Sequence, residues 1–132
     1  MNMDRHACVT PRILRAAEAG EFYTDERCFI RELSNGAHDE AASVAQARVA
    51  VGVTTRWHRL DGIAERYVIV KGTGRVEVEG MDPHEVGPGD VVLIPPGRAQ
   101  RIACLGAEEL IFLAICTPRF RPEAYRDAED GR

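Results

Sequence analysis

His58 and Glu65 are the residues of this chain best suited to do chemistry. An imidazole and a carboxyl facing one pocket can act as base and acid or hold a divalent cation through their lone pairs. Side chains alternate between faces along a strand, so His58 is expected to share a face with Arg56 and Leu60. By the same parity Glu65 goes with Tyr67, and Gln100 with Arg98 and Cys104. A glutamate held inside a fold must be paired or keep its proton. Arg56 and Arg98 are its expected partners, and an Arg56–Glu65 pair would equally anchor a carboxylate or phosphate group on a ligand. Tyr67 could give a proton, although aromatic strand residues more often pack. Cys104 could be a nucleophile, but no second histidine stands beside it to activate the thiol.

The elements that must position these groups read as strands. From about Ser43 the chain consists of short apolar segments punctuated by glycine and proline, the cadence of an all-β barrel or sandwich. Val76 to Glu79 alternates apolar and acidic residues, as a half-buried strand does. Gly72-Thr73-Gly74 before it reads as a hairpin turn rather than a phosphate loop, because no helical pattern follows. Val91 to Ile94 and Leu110 to Cys116 are continuously apolar and are expected to be buried on both faces. The stretch from Glu40 to Arg48 is rich in helix formers, and a short helix is expected near Leu14 to Ala19.

Two stretches carry a resemblance. The first runs from Gly52 through His58, Leu60 and Glu65 to Gly72; the second runs from Gly89 through Pro95, Gly97 and Gln100 to Cys104. Their spacing is similar to the two motifs of the cupin superfamily, G-x5-H-x-H-x4-E-x6-G and G-x5-P-x-G-x2-H-x3-N. Leu60 stands where the second histidine belongs, Gln100 where the third belongs and Cys104 where the asparagine belongs. The resemblance implies an all-β, cupin-type double-stranded β-helix, or jelly roll, in which Ser43 to Val51 is a strand despite its helix formers. It divides the chain into an N-terminal extension over 1–42 that packs on the barrel or is exchanged between barrels, a barrel core over 43–118 and a polar tail over 119–132.

The resemblance also implies that both motifs meet at one cavity mouth. His58 and Glu65 would be catalytic there, with Arg56, Tyr67, Arg98, Gln100 and Cys104 binding substrate. Two of the family's four metal-ligand positions are replaced, which leaves His58, Glu65 and Gln100 to hold one divalent ion (Fe, Mn, Ni or Zn) weakly or not at all. Trp57 would face away from the cavity, toward another sheet or another subunit. The expected activity is that of a small-molecule enzyme, isomerase, lyase or oxidoreductase-like. The alternative is a barrel that binds or senses a small ligand without converting it. A homodimer is implied as well.

Composition narrows the classes. With 132 residues there is room for one domain. The net charge of −4 comes without a basic stripe, which argues against nucleic acid. No apolar run approaches the ~20 residues that cross a bilayer, and the first residues do not read as a signal peptide, so no membrane partner and a cytoplasmic location are expected. Cys8, Cys28, Cys104 and Cys116 form no C-x-x-C pair and are expected to be reduced and buried.

Overall fold

The computed structural model describes residues 9–129. Eleven strands form two antiparallel sheets. In chain order they are β1 (Glu21–Tyr23), β2 (Phe29–Ser34), β3 (Ser43–Val49), β4 (His58–Leu60), β5 (Ala64–Lys71), β6 (Gly74–Val78), β7 (His84–Val86), β8 (Val91–Ile94), β9 (Gln100–Cys104), β10 (Leu110–Thr117) and β11 (Tyr125–Asp127). One sheet runs β1-β2-β3-β10-β5-β8 and the other β11-β4-β9-β6-β7. Apart from the β6–β7 hairpin, successive strands from β3 onward pass between the two sheets, which is the jelly-roll connectivity. Three-residue 3-10 turns at Ala16–Glu18 and Pro122–Ala124 are the helical segments among the described residues, the first lying inside the stretch expected to be helical.

Alternation along the strands builds the core. Tyr67 and Ile69 on β5, Val76 and Val78 on β6, Ile102 on β9, and Leu110 and Phe112 on β10 all turn inward. The rings of Tyr67 and Phe112 meet with centroids 4.3 Å apart. Burying each such aliphatic side chain contributes about 1.5–3 kcal/mol. Cys28, Cys104 and Cys116 are free and buried, whereas Cys8 lies outside the described residues.

The helix formers before Arg48 adopt β3 because that strand is hydrogen-bonded along both edges, to β2 and to β10. Two rows of ladder bonds outweigh a helix propensity of a few tenths of a kcal/mol per residue. Val91 to Ile94 departs from expectation in the other direction. Strand β8 pairs only with β5 at the sheet edge, so Val92 and Ile94 enter the core while Val91 and Leu93 are 55% and 69% exposed. A continuous apolar run therefore did not mark a strand buried on two faces. His84 is exposed at the start of edge strand β7.

Strands β1 and β2 extend the larger sheet at one end. Beyond residue 118, β11 pairs with β4 in register Tyr125↔Leu60 and Asp127↔His58. Among the described residues no helix is long and apolar enough to cross a membrane.

Gly72, from the first motif, shows why a glycine is needed there. Its φ is +85°, and a Cβ would lie 2.5 Å from the carbonyl oxygen of Glu109. Gly52 has a φ of +79° but nothing within 4 Å of a built Cβ. Gly52→Ala should thus cost about 1–2 kcal/mol for backbone strain alone, and Gly72→Ala about 2 kcal/mol more for the backbone clash. Urea unfolding of the two variants measures the difference; equal losses would contradict it.

Candidate functional site

The site forms where β4 and β9 meet across from β5. His58 opens β4 and Gln100 opens β9, and the two are direct neighbours in the ladder. Glu65 lies near the start of β5, flanked by Ile94 of β8 and Cys116 of β10. Strands β2, β3, β4, β5 and β10, with the β1–β2 turn and the segment leading into β11, line a cavity of 460 Å³, within the usual size of small-molecule sites. His58, Glu65 and Leu60 face it.

Behind Glu65 runs a buried chain of hydrogen bonds. The Tyr67 hydroxyl donates to the Gln100 amide oxygen, and the Gln100 amide nitrogen donates to Glu65 Oε1 at 2.8 Å. Glu65 Oε2 has the Cys116 thiol 3.9 Å away. Burial pushes the Glu65 carboxyl above the ordinary carboxylate range, opposed by the nearby His58 charge and the Gln100 bond. The same burial, reinforced by Glu65, raises the Tyr67 phenol well above its usual value and lifts the Cys116 thiol. The Glu65 carboxyl, the Tyr67 phenol and the Cys116 thiol are thus all shifted toward keeping their protons.

His58 is held from two sides. Its Nδ1 lies 2.9 Å from the Arg56 carbonyl oxygen and its Nε2 3.3 Å from Glu26 Oε2. Both neighbours are acceptors: an N–H at Nδ1 serves the Arg56 carbonyl, and a proton arriving at Nε2 meets the Glu26 carboxylate. The Tyr125 ring from β11 stacks on the imidazole at 5.3 Å and 15°. Burial raises the Tyr125 phenol, with the charge of Glu26 adding to it.

Glu26 reaches His58 because the turn carrying it is pinned. The Thr24 hydroxyl donates to the Cys28 carbonyl and accepts from the Glu26 N–H, and Arg27 takes a left-handed φ of 70°. The Arg56 N–H donates to the Glu26 carbonyl at 3.1 Å. Glu129 then ties the turn to the strand: it accepts from Arg27 at 2.7 Å and from the Trp57 N–H at 2.8 Å. Those bonds, the Trp57 N–H first, hold its carboxyl below the usual range.

Several expected site residues stand elsewhere. Regular strand begins only at His58, so alternation does not carry back to Arg56, whose guanidinium pairs with Asp127 at 3.0 Å. Arg98 precedes β9, is exposed, and donates to the Glu79 carbonyl. Neither arginine pairs with Glu65, which corrects that expectation. Cys104 is packed in the core with its thiol 3.2 Å from the Glu108 carbonyl, away from the cavity. Tyr67 and Gln100 back Glu65 rather than lining the cavity. Trp57 does turn away from the cavity, against Ala99 and Ala128 and beneath the Arg101 guanidinium. Glu26 and Tyr125 were missed by sequence reasoning, because neither falls on a motif spacing.

Of the three residues expected to hold a metal ion, His58 and Glu65 face the cavity and Gln100 does not. Leu60 offers no lone pair, the Gln100 oxygen is taken by Tyr67, and the face that Gln100 turns to Glu65 is an N–H. Among the described residues no group of three or more His, Cys, Asp or Glu is arranged to hold a cation.

Residues 45–116 match the cupin domain family. The chain belongs to that family, and its fold is the all-β jelly roll of several cupin structures. No curated protein sequence matches it. Among solved structures it is similar to Streptomyces Pac13, described as a nucleoside dehydratase, with a TM-score of 0.75 and 16% identity over 91% of this chain and 92% of that one. A variant of Pac13 with uridine superposes at 0.76, with 16% identity over 92% and 93% of the two chains. KdgF from Halomonas sp. gives 0.72 at 15% identity, covering 83% and 96%. A predicted oxalate decarboxylase from Thermotoga maritima gives 0.69 at 22% identity, covering 81% and 99%. At such identities the likeness is one of fold.

The raised Glu65 carboxyl has a consequence for stability. With its folded pKa above the unfolded value near 4.5, the folded protein binds the proton more tightly than the unfolded chain. This contribution is complete below pH 4.5 and is lost as pH rises through the folded pKa. Glu65→Gln lacks that loss, so its stability relative to the parent should rise between pH 4.5 and 8. Urea midpoints at both ends test this; a constant difference would contradict it.

Proposed function

We propose that this cupin is an enzyme that removes water, or another oxygen leaving group, from a small hydroxylated molecule by acid–base chemistry. The observation that carries the reading is a carboxyl favouring its proton, Glu65, facing the same cavity as the His58–Glu26 pair. In this scheme His58 takes a proton from a carbon of the substrate through Nε2. The imidazolium formed is stabilised by the Glu26 carboxylate at Nε2 and the Arg56 carbonyl at Nδ1. Glu65 gives its proton to the departing oxygen, so a C–H and a C–O bond are replaced by a double bond and water. Gln100 and Tyr67 position Glu65, and the Tyr125 ring fixes the plane of the imidazole.

Elimination is favoured over isomerase or oxidoreductase chemistry because the site pairs one protonated acid with one base and offers a poor donor set for a redox metal. The likeness in fold to a nucleoside dehydratase supports the same reading.

A panel of free sugars, sugar acids and nucleosides, followed by mass spectrometry for loss of water, should identify a substrate. With it, His58→Gln and Glu65→Gln should lower kcat by about 10²–10⁴, the usual contribution of a general acid or base. Glu26→Gln should lower it by about tenfold or more, and a metal chelator should leave the rate unchanged. Activity that is lost with chelator and restored by a divalent ion would refute the scheme. A ligand that binds without being converted would make the barrel a binding module.

A further inference from the structure

The wall of the cavity is unbalanced in charge. Asp25, Glu26, Glu32 and Glu65 contribute carboxyls, while no lysine or arginine is among the described lining residues. The arginines nearby are spent on other groups. Arg27 is held by Glu129 and the Thr54 carbonyl, Arg56 by Asp127, and Arg66 by the Thr117 hydroxyl. The charge of Glu26 is felt across the site, where it raises Cys28, Glu65, Tyr67 and Tyr125 alike.

Proton donors in the wall are scarce for the same reason. The Thr24 hydroxyl is given to the Cys28 carbonyl, and the Asn35 amide to Glu32 and the Phe120 carbonyl. The Ser43 hydroxyl accepts from the Phe120 N–H and is hydrogen-bonded to the Cys116 sulfur as well. Among the described elements the helical segments are three residues long, so no helix N-terminus offers N–H groups to a phosphate. Besides the His58 imidazole, the Cys116 thiol and the Tyr125 phenol, the rest of the wall, including Phe22, Ile30 and Ala114, is apolar.

We infer that the cavity takes an uncharged ligand rich in hydroxyl groups, a free sugar or a nucleoside, and rejects the phosphate ester of that same compound. This rests on the cavity being the working site of the proposed function. Hydroxyl groups supply the protons that the carboxylates lack, and the apolar wall receives a ring face. A phosphate or carboxylate would meet the carboxylates of Asp25, Glu26 and Glu32 with no lysine or arginine in the described lining to offset them. This reverses the expectation that an Arg56–Glu65 pair would anchor an anionic group.

The test is calorimetric and saturation-transfer binding of uridine, adenosine, D-ribose and D-glucose, each beside its 5′- or 6-phosphate, at neutral pH. At least one uncharged member should bind, with its phosphate ester at least tenfold weaker. The gap should narrow at least threefold in Glu26→Gln and should shrink with added salt. Binding by nucleosides alone or by sugars alone distinguishes the two sources of hydroxyl groups. A phosphate ester binding as tightly as its parent, or no uncharged member binding at millimolar concentration, would overturn the inference. An uncharged ligand that binds without turnover upholds it while removing the elimination scheme. A phosphate ester that turns over through His58 and Glu65 does the reverse.

Discussion

A carboxyl as deeply buried as that of Glu65 must be held by hydrogen bonds or keep its proton, because an isolated charge in the core costs several kcal/mol. Here one amide N–H and one distant thiol attend it, with no arginine or lysine paired to it among the described residues. The amide is fixed in turn, since Tyr67 occupies its oxygen. Gln100 is 1% exposed and cannot turn to water for a substitute. Gln100 is thus the middle link of a chain, Tyr67 to Gln100 to Glu65, that steadies a carboxyl whose pKa burial raises.

His58 depends on three segments far apart in sequence. The turn around Glu26, the strand that starts at His58 and the strand that carries Tyr125 each contribute one contact to the imidazole. Glu129 links two of them, through Arg27 on the turn and the backbone of Trp57 beside His58. The left-handed backbone at Arg27 costs about 1 kcal/mol, and its guanidinium recovers part of that by meeting Glu129 and the Thr54 carbonyl. Geometry at the site is therefore a property of the closed barrel and of the C-terminal strand laid along it.

Spacing made the barrel legible, because glycines and a proline at fixed intervals mark its turns and Gly72 has no room for a side chain. It also placed His58 and Glu65 at one cavity. Strand parity failed at Arg56 and Arg98, which sit in irregular backbone just before β4 and β9, where alternation has no force. Hydrophobic pattern misjudged β8, since edge position is set by topology and not by the composition of the strand. Glu26 and Tyr125 had no local signal, as each owes its place to a contact with a residue more than thirty positions away in the chain. Gln100 was read as an oxygen ligand, but the direction of an amide is decided by its neighbours, here Tyr67 and Glu65.

The protonation state of Glu65 is the point on which the account turns. Carbon-13 NMR of the glutamate side-chain carboxyls, assigned through Glu65→Gln, reads it directly as pH is varied. The account predicts that the Glu65 resonance titrates well above the ~4.3 of an unperturbed glutamate, and that Gln100→Ala, which removes the donated N–H, moves it higher still. A resonance that titrates at or below the ordinary value, or that is shifted or broadened by stoichiometric Mn(II) or Zn(II), would contradict it.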